Sequence, residues 1–259
     1  MDKKTISRDG TPIAYTVGGE GPPVVLVTGA MTTGAFDAPL AGLLAERFTV
    51  VAYDRRGRGD SGDTPPYAVE REFEDLAALV DTVGGTAALY GMSSGAALAL
   101  LAAASGLPVS RVAAYEPPYA VREGGGRQRA EYSSRLQGLL AQGRRGDAVE
   151  LFVALTGASP EAIRGMRHSP AWPGLEAVAP TLAHDDAVMG DGLVPRARLA
   201  SVGVPVLALA GGASPAWMRE AAAATAGAVP DGTHRVLEGQ GHMVDPGVLA
   251  PVLTEFFAG

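Results

Sequence analysis

The sequence predicts an α/β protein in which a mainly parallel, doubly wound sheet carries an inserted helical cap. Short apolar runs of strand length alternate with helix-length segments along most of the 259 residues, which is typical of parallel sheets with helices on both faces. The chain starts with an antiparallel hairpin pattern. The strand rhythm then stops for about 75 residues, from 121 to 195, which is too long for a plain loop. This segment reads as several short helices.

The strands and helices follow from local patterns, taken in chain order. Residues 5–7 and 12–17 alternate in polarity around a turn, which predicts a hairpin. The remaining predicted strands are mostly apolar runs, the type expected inside a parallel sheet: 24–27, 48–53, 86–90, 111–115, 204–210 and 233–237. Among the helices, 69–83 has the clearest apolar spacing. The other predicted helices are 36–46, one ending near Ser105, 215–226 and one ending at Phe257.

The composition excludes some classes of binding partner and of internal cross-link. A net charge of −7 argues against nucleic acid and anionic membranes as partners. No apolar run reaches membrane-spanning length, and the N-terminus lacks the apolar core of a signal peptide, so we expect a cytoplasmic protein. Cysteine is absent, which removes disulfides and thiolate sites. The oligomeric state is not written in the sequence.

Neither a cofactor nor a metal is expected. Residues 57–62 match the dinucleotide pattern G-x-G-x-x-G, but Pro65 and Pro66 follow, so no helix begins there to receive a pyrophosphate. Asp185, Asp186 and Asp191 suggest a metal faintly, but no nearby cluster completes a ligand set. Solvation on a helix explains these carboxylates better.

The strand at 86–90 is followed by Gly91-Met92-Ser93-Ser94-Gly95 and then by an Ala/Leu-rich helix. This is G-x-S-x-G between a strand and a helix, the setting of a nucleophile elbow. The turn strains the serine backbone and lifts its hydroxyl above the sheet, where the positive end of the helix favours an oxyanion. Ser93 is therefore the candidate nucleophile.

Four features together resemble the α/β-hydrolase fold family, over essentially the whole chain. The strand at 24–27 ends in Thr28-Gly29, similar to the family's His-Gly, and residues 54–61 fit its D-x-R-G-x-G-x-S loop. The elbow and Gly239-Gln240-Gly241-His242 complete the match. The resemblance implies a hydrolase core of residues 1–120 and 196–259, with a helical cap over 121–195. It is specific for fold and weak for substrate.

His242 is the candidate general base, because it follows the last predicted strand in a loop bordered by glycine. His234 reads as structural, and His168 and His184 as solvated helix residues.

The triad acid is less obvious, because the loop after 204–210, where the family usually has it, contains no carboxylate. Glu116 directly follows the strand at 111–115 and is the best candidate. The order Ser93, Glu116, His242 resembles lactonases that open the macrolactone zearalenone. Glu220, Asp185 and Asp245 stay open as alternatives.

The resemblance also implies an oxyanion hole made by the backbone N–H groups of Ala30 and Ser94, with Gly29 as an alternative to Ala30. Met31, Met92 and the cap residue Trp172 are candidate substrate contacts, and they favour an apolar substrate.

The sequence thus predicts a serine hydrolase acting on an ester or lactone of an apolar small molecule. A C–C bond hydrolase or a cofactor-free perhydrolase would use the same residues. A non-catalytic ligand receptor on a hydrolase scaffold is the alternative from another class.

Overall fold

The computed structural model describes residues 3–121 and 125–259, with the side chains of 125–127 left aside. Eight strands form one sheet: β1 (Lys3–Ile6), β2 (Pro12–Gly18), β3 (Pro23–Val27), β4 (Thr49–Tyr53), β5 (Ala87–Met92), β6 (Val109–Tyr115), β7 (Val206–Gly211) and β8 (Gly232–Leu237). Their order is β1-β2-β4-β3-β5-β6-β7-β8. The pairs β1–β2 and β2–β4 are antiparallel, and all other neighbours run parallel. The predicted fold class is confirmed.

Eleven helices accompany the sheet in the described residues: α1 (Ala38–Leu44), α2 (Val69–Asp81), α3 (Ser94–Ala104), α4 (Gly125–Ala141), α5 (Arg145–Leu155), α6 (Pro160–Arg167), α7 (Trp172–Val178), α8 (Leu182–Met189), α9 (Arg196–Leu199), α10 (Ala216–Ala226) and α11 (Pro246–Ala258). The helix predicted at 36–46 is divided into a 3-10 turn, Gly34–Asp37, and α1. Pro39 lies in the first turn of α1, where a missing N–H costs nothing.

Two apolar cores cover the two faces of the sheet, because successive strand residues point to opposite sides. In β3, Val25 and Val27 pack in the core that includes α2 and α3. Val24 and Leu26 pack in the other core, against α1 and α11. The strands are therefore buried on both faces, as their continuous apolar sequences predict.

The segment between β6 and β7 holds the cap that we propose for residues 121–195; residues 122–124 lie outside the described part. Two apolar clusters join its helices to the loop after β3. Leu136 and Leu182 pack with Ala30 and Met31 in one cluster, and Trp172 packs with Met31 in the other. The helices thus lie over the carboxyl end of β3, which is where open α/β sheets bind ligands.

In the described part of the chain, no helix combines the length and the apolar character needed to cross a bilayer.

Candidate active site

Ser93 lies at the turn between β5 and α3 with φ 56° and ψ −125°, a conformation that a non-glycine residue rarely adopts. The turn is held by close backbone approaches on both sides. A Cβ on Gly91 would lie 2.4 Å from the carbonyl oxygen of Gly95, and a Cβ on Gly95 would lie 2.1 Å from that of Val27. Only glycine fits at either position, and the strained serine between them is a nucleophile elbow in geometry.

Backbone strain marks the same edge of the sheet in two further places. Within the described residues, the non-glycine residues with positive φ are Met31 (62°), Ser93 (56°) and Glu116 (48°). They follow β3, β5 and β6, which are neighbours in the sheet. Such strain costs about 1–3 kcal/mol per residue and clusters at functional sites. Sequence reasoning does not find the strain at Met31, because no residue-type signal marks it.

The structure brings Glu116 and His242 together. Nδ1 of His242 is 2.7 Å from Oε2 of Glu116, and the N–H of Gly211 donates to Oε1 at 2.8 Å. Glu116 is fully buried, whereas about a third of the His242 side chain is exposed. The hydroxyl of Tyr115 donates to the carbonyl of Gly241 at 2.5 Å, which fixes the loop beside His242. The end of β7 and the loop after β8 therefore both contact the carboxylate of Glu116, which directly follows β6.

Ser93 is joined to the same place through the backbone, since its N–H donates to the carbonyl of Tyr115 at 2.9 Å. Ser93 and Glu116 thus directly follow the ends of β5 and β6, which are paired neighbours in the sheet.

Electrostatics keep Glu116 ionised. Burial raises the pKa of Glu116, but the hydrogen bonds that its carboxylate accepts from His242 and from the Gly211 N–H lower the pKa more, so it lies below the usual value for a glutamate. An ionised carboxylate only accepts hydrogen bonds. Nδ1 of His242 therefore carries the hydrogen, and Nε2 of the neutral ring has the free lone pair, which is the tautomer that a general base needs.

The loop after β3 lies directly against the elbow. A Cβ on Gly29 would be 3.1 Å from Cβ of Ser93 and 3.8 Å from its Oγ. The next N–H along this loop belongs to Ala30. The N–H of Ser94 is the first of α3, and the first N–H groups of a helix have no partner within it. Both proposed oxyanion donors are thus N–H groups of backbone segments that lie next to Ser93.

A buried ion-pair cluster lies beneath these donors. Arg55 forms a bidentate ion pair with Glu72, in which both N···O distances are 2.7 Å. Arg55 and Arg58 each contact Asp185 of α8 at 2.7 Å. The hydroxyl of Ser94 donates to the same carboxylate at 2.8 Å. Burial raises the pKa of Asp185, but the two guanidinium charges outweigh it and leave the pKa below its usual value.

The sequence-based interpretation of Asp185, Asp186 and His184 as solvated helix residues is wrong. Asp185 and Asp186 are buried, and Asp186 pairs with Arg129 at 2.7 Å. His184 is buried too and stacks on Tyr67 with ring centroids 3.9 Å apart. Burial lowers the pKa of His184. The partners lie far away in sequence, so helix periodicity alone could not reveal them.

The other histidines lie on the surface. His168 is exposed, with Nδ1 2.7 Å from the carbonyl oxygen of Arg164, and His234 is exposed in β8.

The alternative acids hold other positions. Asp185 belongs to the arginine cluster, Asp245 accepts from Gly247 at the start of α11, and Glu220 is exposed on α10. Of these candidates, Glu116 is the one in contact with His242.

The candidate substrate contacts separate into two groups. Met31 and Trp172 share the cap cluster defined by Val149 and Ala179, whereas Met92 packs in the core between the sheet and α1. Among the described residues, no group of three or more His, Asp or Glu side chains has the arrangement of a metal site.

Comparison with known proteins gives a family. A family model described as the alpha/beta hydrolase family matches residues 24–252. The structure of an alpha/beta hydrolase from Sphaerobacter thermophilus is 56% identical, with a TM-score of 0.90 over 98% of this chain and 100% of that one.

More distant structures share the fold. An enol-lactonase from Burkholderia xenovorans is 23% identical with a TM-score of 0.72, over 99% of this chain and 100% of its own. An esterase from Exiguobacterium antarcticum is 18% identical with a TM-score of 0.75, over the full length of both chains.

Proposed function

Because the chain belongs to the alpha/beta hydrolase family, we propose that it is a serine hydrolase that cleaves an ester or lactone of an apolar small molecule. The observation that carries the proposal is the 2.7 Å contact between His242 and the buried Glu116, beside the strained Ser93. A serine hydroxyl is a weak nucleophile until a neighbouring base takes its proton. These residues supply the nucleophile, the base and the group that orients the base.

In the proposed reaction, Oγ of Ser93 attacks the substrate carbonyl while Nε2 of His242 takes the hydroxyl proton. Glu116 stabilises the resulting imidazolium. The N–H groups of Ala30 and Ser94 stabilise the oxyanion of the tetrahedral intermediate. His242 then gives its proton to the leaving alcohol oxygen, and the C–O bond breaks to leave an acyl-enzyme on Ser93.

Water completes the cycle. His242 removes a proton from the water molecule as it attacks the acyl-enzyme, and the acid product leaves as Ser93 regains its hydrogen. In a lactone, acid and alcohol remain parts of one molecule, so the product is a single hydroxy acid.

The apolar clusters of the cap support an apolar substrate. Met31 lies in both cap clusters, beside Trp172 in one of them, and the neighbouring cap residues are aliphatic and aromatic. The net charge of −7 disfavours polyanionic substrates such as nucleic acids. An apolar, polyketide-like lactone is our narrower proposal, which rests on the position of Glu116.

The receptor alternative depends on a missing triad acid. The loop between β7 and α10 contains no carboxylate, but Glu116 after β6 accepts from Gly211 of β7 and contacts His242. This contact supports the catalytic proposal over the receptor alternative. Hydrolysis of a C–C bond and perhydrolysis would use the same residues, and only the substrate distinguishes them.

The test is hydrolysis of a panel of p-nitrophenyl esters of increasing chain length, together with aliphatic and aromatic lactones. We expect turnover that increases with the apolar character of the acyl group and is lost in Ser93→Ala. Turnover of no ester or lactone by folded wild-type protein, or equal turnover by Ser93→Ala, would contradict the proposal.

A further inference from the structure

Arg58 occupies an unusual position for a charged side chain: it is buried between the cap and the loop after β3. Its guanidinium donates to four groups. Nη1 contacts the carbonyl oxygens of Gly29 at 2.5 Å and Thr32 at 3.3 Å. Nε contacts Oγ1 of Thr181 at 3.1 Å, and Nη2 contacts Asp185 at 2.7 Å. The fork geometry of arginine lets one side chain hold all of these acceptors.

The contact with Gly29 matters because of covalent geometry. The Gly29 carbonyl and the Ala30 N–H belong to one planar peptide group. A cation that holds the carbonyl oxygen therefore fixes the direction of the N–H at the other end. The hydroxyl of Thr32 donates to the same carbonyl at 2.9 Å. Hydrogen bonds in series polarise one another, so both contacts on the carbonyl strengthen the Ala30 N–H as a donor.

Asp185 links this peptide to the side chain of Ser94, whose backbone N–H is the second proposed donor. Its Oδ2 accepts from Arg58, and its Oδ1 accepts from the hydroxyl of Ser94 at 2.8 Å. Gly29, Arg58, Asp185 and Ser94 thus form a continuous chain of charge-assisted hydrogen bonds. Since Asp185 belongs to α8, this chain also joins the cap to the elbow.

Stability alone explains such a cluster poorly. Removing charges from water costs several kcal/mol per ion, and well-packed apolar residues often stabilise a core as well or better. A buried arginine that contacts the loop carbonyls gives geometric control that apolar packing does not give. The neighbouring Arg56 is buried as deeply, but it pairs with Asp75 and Asp9, away from this loop.

We propose that Arg58 is a positioning residue of the oxyanion hole: held by Asp185, it orients and polarises the Gly29–Ala30 peptide so that the Ala30 N–H points at the oxyanion. This inference rests on the proposed function, because it assigns a role within the same site. It predicts that Arg58 acts on the transition state and leaves ground-state substrate binding unchanged.

The experiment compares Arg58→Lys with Arg56→Lys, which changes an equally buried arginine of the same loop. The measurements are kcat and KM on a p-nitrophenyl ester, the melting temperature, and the Ki of an aryl trifluoromethyl ketone, which forms a tetrahedral adduct with an active serine. Loss of a whole oxyanion donor costs about 10²–10³ in kcat. For a weakened donor, we expect Arg58→Lys to lower kcat about 10- to 100-fold, with KM within about twofold, and to raise Ki by a similar factor.

Arg56→Lys should lower the melting temperature and leave kcat and Ki near wild type. Equal kcat in Arg58→Lys and wild type, or equal losses in the two variants, would overturn the role of Arg58. If wild-type protein hydrolyses no ester and forms no adduct, the proposed function itself fails, and that result is distinct from an active wild type with an insensitive Arg58.

A second pair of variants decides the matter if Arg58→Lys does not fold. Thr32→Val removes the other hydrogen bond to the Gly29 carbonyl, and Thr33→Val is its neighbour and control. We expect Thr32→Val to lower kcat several-fold with an unchanged KM, while Thr33→Val has no effect. Identical kcat values in both valine variants would overturn the proposed polarisation of this peptide.

Discussion

Replacement of Glu116 by glutamine is expected to abolish most of the activity while leaving the protein folded. The substitution keeps the size of the side chain and changes only its hydrogen-bonding character. Oε1 of Glu116 accepts from the Gly211 N–H at 2.8 Å. A glutamine must present its own oxygen to that N–H to avoid an unsatisfied buried donor. Its amide nitrogen then faces Nδ1 of His242.

This arrangement forces the wrong tautomer. The amide nitrogen donates to Nδ1, so the ring hydrogen moves to Nε2, and Nε2 can no longer accept the proton of Ser93. The Asp-to-Asn change in the serine protease triad, a documented example of this effect, lowers kcat about 10⁴-fold. For Glu116→Gln we expect a loss of about 10³–10⁴ in kcat, or about 4–5.5 kcal/mol of transition-state stabilisation.

The assay is kcat on a p-nitrophenyl ester, with circular dichroism and melting temperature as measures of folding. Glu220→Gln serves as the matched control, since Glu220 is an exposed glutamate on α10, and its kcat should equal that of wild type. Glu116→Ala tests the tautomer argument: it removes the carboxylate without imposing a donor on Nδ1, so it should be no less active than Glu116→Gln. Turnover by folded Glu116→Gln within about threefold of wild type would refute the reasoning.

Two further predictions concern stability. Burial raises the pKa of Asp37 from 3.8 to about 7, so the folded state binds more protons than the unfolded chain between about pH 4 and 7, and stability falls as the pH rises through this range. This carboxyl group should lower the free energy of unfolding by up to about 4 kcal/mol between pH 4 and 8, and Asp37→Asn should abolish that decrease. Urea unfolding at a series of pH values measures it. Parallel pH profiles for the two proteins would contradict the prediction. In Gly95→Ala the new Cβ would lie 2.1 Å from the carbonyl oxygen of Val27, so this substitution should lower stability by several kcal/mol. In Gly138→Ala, on α4, the new Cβ would meet no atom within 4 Å, so this substitution should raise stability by up to about 1 kcal/mol. A wild-type melting temperature for Gly95→Ala would show that the elbow can relax.

The sheet could be predicted from the sequence because its signals are local. The strands predicted at 24–27 and 111–115 are recognisable from their apolar residues, and the structure extends them to Pro23–Val27 and Val109–Tyr115. Polarity patterns do not predict the extension of β6 to Val109, because Ser110 and Arg111 separate it from the apolar residues 112–115. The elbow was also predictable, since glycine, serine and glycine within five residues form a local motif.

The contacts beneath the site could not be predicted in the same way. Asp185 meets Arg55 and Arg58 across more than 120 residues of sequence, and nothing in the local pattern around Asp185 separates a buried carboxylate from a solvated one. The positive φ of Met31 is equally invisible, since methionine has no preference for that conformation. Glu116 could be predicted only from the topology, because it directly follows a strand that ends at the same sheet edge as Ser93.

The central claim is that Ser93 is an activated nucleophile, and intact-mass labelling with a fluorophosphonate tests it most directly. Activated serines react with this probe, whereas ordinary surface serines do not. We predict a single adduct on wild-type protein, no adduct on Ser93→Ala, and much slower labelling of Glu116→Gln. Folded wild-type protein without an adduct, or an adduct that persists in Ser93→Ala, would contradict the account.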